Sequence, residues 1–231
     1  MALTAELVIV TYQPVCMQST ASISEWPETK RNLVDAGVRL MRARGFNATT
    51  VDDICAAAGV TKGGFFHYFK SKEEIAKAAV SRFSAGKSED FREAPFRKLA
   101  DPLDRVFGRL EFARKSTGGT THLTKGCLVG MLAQELSFTH PELRGACEDS
   151  FSRMAIDFET DLAEAKAAHA PQAEFDPKEV AMLYVTIIQG SLMLAKTSKS
   201  NAVLHRNLEQ FRQYLHALFG RSDRSHGKSR A

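Results

Sequence analysis

Taken by the spacing of apolar and polar positions, the chain from residue 29 onward reads as a succession of helices. Leu33, Gly37, Leu40 and Met41 fall at i, i+4, i+7 and i+8, with Arg31, Asp35, Arg39 and Arg42 between them. That is the stripe of one amphipathic helix over residues 29–44. Gly45 offers a left-handed C-terminal stop and Phe46 an apolar anchor beyond it. Thr50 can cap a second short helix, with Asp53 reaching back as a variant capping box, Ile54, Cys55 and Ala58 as its apolar face, and Gly59 as its end. Val60 then bridges to Thr61, another good cap, which opens a helix over 62–69. Two short helices joined by a turn of about three to four residues containing Gly have the helix-turn-helix spacing.

Further along, Ser71 followed by Glu74 reads as a full S-x-x-E capping box, so a fourth helix starts at Ser71 and carries Ile75, Ala79 and Phe83. Between residues 86 and 101 the pattern loosens into a connector punctuated by Pro95. After Pro102 a helical period resumes with Leu103, Val106, Phe107 and Leu110. Helices are expected at about 102–116, 125–138, 141–169, 177–197 and 201–219, with a break at 116–120 and with Pro141 and Pro177 in first turns, where a missing N–H costs nothing. Strand signals are nearly absent. The pattern therefore predicts an all-α chain of about nine helices: an N-terminal three-helix helix-turn-helix domain and a C-terminal helical bundle domain. The expected division is a flexible N-terminal arm over 1–28, a DNA-binding domain over 29–82, a second domain over 83–220 and a disordered basic tail over 221–231.

Composition narrows the class. Apolar residues make up 44% and charged residues 25%, ordinary values for a globular protein that leave no room for a collagen, coiled-coil or disordered reading. The formal net charge of +4 is unevenly placed. Residues 29–82 hold ten Lys or Arg against five Asp or Glu, whereas residues 83–220 hold seventeen against eighteen, the asymmetry of a polyanion-binding module joined to a neutral one. Cys16, Cys55, Cys127 and Cys147 lie far apart without a CxxC pair, so no zinc knuckle or disulfide framework is expected and a cytoplasmic location is. The apolar start at Leu3, Leu7, Val8, Ile9 and Val10 lacks a basic flank and is interrupted by Glu6, so neither a signal peptide nor a membrane partner is expected.

The run Thr49-Thr50-Val51-Asp52-Asp53-Ile54-Cys55-Ala56-Ala57-Ala58-Gly59-Val60-Thr61-Lys62-Gly63-Gly64-Phe65-Phe66-His67-Tyr68-Phe69-Lys70-Ser71-Lys72-Glu73 closely resembles the DNA-binding signature of the TetR family of bacterial regulators, in register over residues 29–80. Independently of that resemblance, the helix starts at Thr50, Thr61 and Ser71 present unpaired N–H groups and partial positive charge to a phosphate, and Lys62 and Lys72 add full charges beside two of them. The resemblance implies phosphate contacts from Thr50, Lys62, Tyr68 and Lys72, and a recognition helix that begins at Thr61 and presents Gly63, Gly64, Phe66 and His67 to double-stranded DNA. Two departures stand out. Gly64 occupies a place where the family often has Thr, Ser or Ala, and Phe66 stands for the usual Tyr, which shifts readout toward DNA shape. Phe65, Phe69, Ile54 and Val51 read as the mini-core of this domain; His67 reads equally as groove-facing or core-facing.

The resemblance further implies a homodimer built on the last two helices. Val180, Leu183, Tyr184, Ile187, Ser191 and Leu194, with the small Gly190 and Ala195, would line one of them, and Leu204, Leu208, Phe211, Leu215 and Leu218 the other. It also implies an effector cavity in the second domain, for which Phe107, Phe112, Cys127, Met131, Phe138, Met154, Phe158 and Tyr184 are candidates, each equally readable as plain core. An apolar or aromatic small molecule is the expected effector. Gly126-Cys127-Leu128-Val129, followed by Glu135-Leu136, is similar to a stretch in a branch of the family containing thiol-based sensors, which places Lys196 as a basic partner that would favour the thiolate; many relatives with this Gly-Cys pair are ordinary ligand binders. A repressor released by an effector, a Cys127 redox sensor and a ligand-independent DNA binder therefore all remain open. No cofactor is expected. No G-x-S-x-G, GxxxxGK[ST] or HExxH pattern occurs, so an enzyme is not expected, and His140 with Cys147 makes no metal motif.

Overall fold

The computed structural model describes residues 25–116 and 126–220; most of the expected arm, the break beyond Ser116 and the basic tail lie outside the described residues. Among the described residues there are nine α-helices and no strand: α1 (Glu28–Arg44), α2 (Val51–Ala58), α3 (Lys62–Tyr68), α4 (Lys72–Arg92), α5 (Pro102–Ser116), α6 (Leu128–Leu136), α7 (Pro141–His169), α8 (Pro177–Ser198) and α9 (Ala202–Leu218), with a short 3-10 turn at Pro95–Lys98.

Local chemistry accounts for most of these boundaries. Gly45 ends α1 at φ +87 with its N–H on the Met41 carbonyl, and Phe46 behind it is buried. Thr50 caps α2 in a complete capping box with Asp53, and Gly59 closes that helix in the left-handed conformation. Thr61 accepts from the Gly64 N–H at the start of α3. Three expectations need correction. The Ser71 hydroxyl accepts from the Glu74 N–H, but the Glu74 carboxylate returns to the Lys70 N–H at 2.6 Å, one residue before the cap. Helix α4 continues through the expected connector to Arg92, because its Phe83 and Phe91, eight residues apart, share a face that packs inward. Helix α6 starts at Leu128 rather than at 125, since Gly126 at φ +69 cannot belong to a right-handed helix and Cys127 is its extended N-cap.

Packing divides the buried side chains into two clusters that do not follow chain order. One joins Leu33, Val34, Ile54, Phe65, Phe69 and Ile75 of α1–α4 to Leu128, Leu132 and Leu136 of α6 and Leu143 and Cys147 of α7. The other joins Leu103, Val106 and Leu110 of α5 to Phe158 and Leu162 of α7, Tyr184 of α8 and Leu208, Phe211 and Leu215 of α9. Phe151 packs against both. Helix α6 is thus bound to the N-terminal helices, although it begins more than eighty residues after the end of α1.

A salt-bridge network fixes the 3-10 turn and α5 to α7. Arg97 holds Asp157 at 2.7 Å and Asp161 at 2.9 Å, while Arg105 reaches Asp161 and Glu164 and Arg109 reaches Asp157. Arg109 is only 2% exposed and lies over the rings of Phe91, Phe96 and Phe158. Only Arg109 and Asp161 are buried in this network, and a charge left uncompensated at either typically costs about 3–5 kcal/mol.

On the last two helices, burial within the one chain accounts for most, though not all, of the positions expected at a dimer face. Val180, Tyr184, Ser191 and Ala195 of α8, and Leu204, Leu208, Phe211 and Leu215 of α9, are buried within the single chain, because α8 packs on both α7 and α9. What remains outward on α8 is Leu183 and Leu194, with Ile187 and Gly190 half-buried between them and Met182 and Met193 beside them. This helix is long and apolar enough to cross a membrane by length and composition; it packs instead as one of the bundle's central helices.

Candidate nucleic-acid interface and interior cavity

Helix α3 is seven residues long and divides sharply between inside and outside. Phe65 is fully buried, edge-on to Phe66 and tilted against Phe69, whereas Phe66 is 55% exposed. Ile54 and Phe69 are buried and Val51 is half-buried, the mini-core expected of them. Thr61, Lys62, Gly63, Phe66 and His67 are exposed, with Gly64 and Tyr68 half-buried; His67 faces outward with its ring edge on Tyr68. A Cβ at Gly64 would stand 2.7 Å from Val60 Cγ1, so this glycine has a packing reason of its own.

The cations beside the helix starts differ. Lys62 is exposed and pairs with Asp52 at 2.9 Å, which raises its pKa above the ordinary value. Water screens so exposed a pair, so a phosphate competes with it readily. Lys72 instead donates to the Phe46 carbonyl at 3.2 Å and lies 4.1 Å from the Phe46 ring centre, tying α4 to the α1–α2 turn. At Thr50 the hydroxyl and the backbone N–H both meet the Asp53 carboxylate, and these hydrogen bonds, with Arg44 at 2.6 Å, hold Asp53 below the usual carboxylate range.

Behind this surface lies a cavity of about 650 Å³ between α4, α5, α7 and α8, reached also by Arg42 of α1 and by the start of α6. Of the sequence candidates, Phe112, Cys127, Met154 and Tyr184 line it. The other four do not. Phe107 stacks on His216 on the far side of α5, Met131 sits against Lys196, Phe138 is 100% exposed and Phe158 is sealed in the core. A helical period marks which residues share a face, but not which face meets empty space. Burial pushes the Tyr184 hydroxyl up to about 12, so it stays neutral. Cys127 is partly exposed and within electrostatic reach of Arg42, whose own pKa is lowered by burial and partly restored by that sulfur. Lys196 contacts Met131 Sδ at 3.6 Å and packs beside Gly126.

Comparison with known proteins accords with this geometry. Residues 33–79 match the model for bacterial regulatory proteins of the tetR family, and residues 111–210 match the LmrA/YxaF-like transcriptional regulator C-terminal domain. The chain is 28% identical over 190 residues to transcriptional regulator AcuR of Cereibacter sphaeroides, covering 80% of this chain and 84% of AcuR. It is 24% identical over 197 residues to the transcriptional repressor DhaR of Mycobacterium sp. strain GP1, covering 82% of this chain and 90% of DhaR. The reduced form of Escherichia coli NemR superposes with a TM-score of 0.71 at 24% identity, over 81% of this chain and 96% of that one. The chain belongs to the TetR family of DNA-binding transcriptional regulators.

In this TetR-family chain the geometry adds residues that spacing alone does not single out. Glu135, near the end of α6, accepts from the backbone N–H groups of Phe46 and Asn47 at 2.8 Å each, and a Cβ at Gly45 would stand 3.0 Å from its carboxylate. Ahead of the same helix, Arg42 donates to the Gly126 carbonyl at 3.1 Å. Helix α6 is therefore fastened to α1 at one end and to the α1–α2 turn at the other. Glu135 is part of the resembling stretch and the one charge within the apolar run Leu128–Leu136, but its grip on the Phe46 and Asn47 amides is visible only in the structure. Arg109 falls on the buried stripe of α5.

Proposed function

We propose that this regulator is a cytoplasmic homodimeric repressor that grips a pseudo-palindromic operator with two copies of α3 and releases it when a small molecule fills the cavity. The observation that carries the reading is α6: its first turn forms cavity wall, and its far end holds the turn leading into the helix-turn-helix. An occupant that displaces α6 shifts the α1–α2 turn with it. Leu183, Ile187, Gly190 and Leu194 supply an outward stripe on α8 suited to a second copy, and Gly190 has open space where a Cβ would stand. A short recognition helix reads few base pairs, so two half-sites and a two-fold partner follow. Thr50, Thr61, Lys62 and Tyr68 act on phosphates and Gly63, Phe66 and His67 face the groove, while Lys72 serves through position more than through contact. Catalysis has no part in this reading.

The test begins with selection of bound fragments from genomic DNA. A palindromic motif with half-sites about one helical turn apart, or a multiple of it, is the expected result. Compounds that raise the melting temperature should then weaken binding to that duplex, and the duplex should weaken theirs to the same extent. Cavity ligands that leave DNA affinity unchanged would sink the release mechanism.

A second reading is favoured by Cys127, a partly exposed thiol at the N-terminus of α6 beside Arg42, as in a redox-sensing site; the related NemR structure is described as a reduced form. Here the cation beside the sulfur is Arg42. Cys147 serves as an internal control, because burial pushes its thiol up to about 11. Iodoacetamide on the native protein at pH 8 should label Cys127 and spare Cys147 on peptide mapping, and oxidant-driven DNA release should vanish in Cys127→Ser. Release that persists in that variant removes the thiol reading.

A further inference from the structure

The polar groups on the cavity wall are lopsided. Lys87 is matched by Asp90 at 2.9 Å, and Asp157 is occupied by Arg97 and Arg109. Among the described residues the Arg153 guanidinium makes no hydrogen bond or ion pair, and neither does the Tyr184 hydroxyl. The Arg109 Nε–H and the Gln189 side-chain NH2 are buried without an acceptor. All four side chains belong to the same wall. Against these donors stands one carboxylate without a cation, Glu93, exposed at the end of α4. Elsewhere on the wall Arg42 is held by the Gly126 carbonyl and Ser84 by Ser150, while Phe83, Phe91, Phe112, Met154, Ile188 and Leu192 supply its apolar part.

An unpaired buried donor costs about 1–3 kcal/mol, and a bond from such a donor to a charged acceptor is roughly twice as strong as one to a neutral acceptor. A hydrocarbon filling this space would leave the buried Arg109 Nε–H and Gln189 NH2 unanswered and give the exposed Arg153 guanidinium nothing beyond water. We infer that the ligand of the cavity is an organic anion, a carboxylate or sulfonate on an aromatic or aliphatic body, with the body against the Phe112 side and the anionic group turned to Arg153, Gln189 and the Tyr184 hydroxyl. The inference rests on the cavity being the effector site and adds to that reading the chemistry of its occupant.

A matched pair of fluorescent probes tests it: 8-anilinonaphthalene-1-sulfonate and the uncharged N-phenyl-1-naphthylamine, titrated into the full-length protein at low ionic strength. The sulfonate should bind about tenfold or more tightly than the neutral probe, the worth of one charge-assisted hydrogen bond. In Arg153→Gln that advantage should largely disappear while the neutral probe binds as before; Arg153 is exposed and holds nothing else, so the variant folds. Equal affinities, or an advantage untouched by Arg153→Gln, overturns the anion assignment and leaves the cavity reading intact. Occupancy is located separately by Cys127, which shares the wall: bound probe should slow its alkylation by iodoacetamide. Alkylation unaffected by saturating amounts of both probes would overturn the reading of the cavity itself.

Discussion

On α3, two neighbouring phenylalanines do unrelated work. Phe65 is fully buried and holds the helix to its domain, while Phe66 is 55% exposed and available to a partner. The cavity is arranged otherwise, its wall drawn from six helices between Arg42 and Leu192, and a residue such as Tyr184 faces the cavity and at the same time packs on Phe158 and Phe211. On the outward face of the short helix, binding can be altered without disturbing the core. Around the cavity the same side chains serve binding and stability, so ligand specificity can drift only as far as the core allows.

That contrast is tested most severely by Tyr184→Ala. Loss of a buried aromatic ring costs about 3–5 kcal/mol, which lowers the melting temperature on the order of 10 °C in a chain of this size. Calorimetry showing a change under about 2 °C would separate cavity from core after all. Glu135→Ala comes next. With the Phe46 N–H left without its acceptor, stability should fall by about 1–3 kcal/mol, read as a lower urea midpoint, and hydrogen exchange at Phe46 and Asn47 should quicken. Unchanged exchange at those two amides means that α6 does not hold the turn.

The helix-turn-helix should respond more mildly. Thr50→Ala removes the cap of α2 and should cost about 1 kcal/mol in urea melts; an effect near zero would show that Asp53 and Arg44 hold the helix start unaided. The smallest effect on stability, close to none in urea melts, belongs to Lys62→Ala, because its pair with Asp52 is exposed. Its signature is in DNA binding, where the log-log salt slope should fall by about one for each lysine lost. Lys72→Ala should do the reverse, lowering stability through the lost Phe46 contact and changing the slope less. Equal slopes for the two variants would erase the distinction between them.

Much of α1 to α4 was legible from residues alone, and the reason is range. Thr50 with Asp53, Thr61 with the Gly64 N–H, and Gly45 and Gly59 at positive φ all act through bonds that close within about four residues. The same reasoning places the starts of α7 and α8 at their prolines. Where it slipped, the deciding contact lay elsewhere: Glu74 turned to Lys70, α4 ran on to Arg92 because Phe91 found α5 across from it, and Phe138, at the end of a run that looks apolar, was left in solvent.

What the sequence determined by itself is the order of helices and the character of the first domain, since periodicity and capping are properties of neighbouring residues. The tertiary structure decided that α6 joins the N-terminal core, that the apolar stripe of α9 is covered within its own chain, and that Arg153, Gln189 and Tyr184 share one wall. A cavity is the space that helices leave between them, set by crossing angles and by side chains meeting across more than a hundred residues of chain, and no local pattern encodes it.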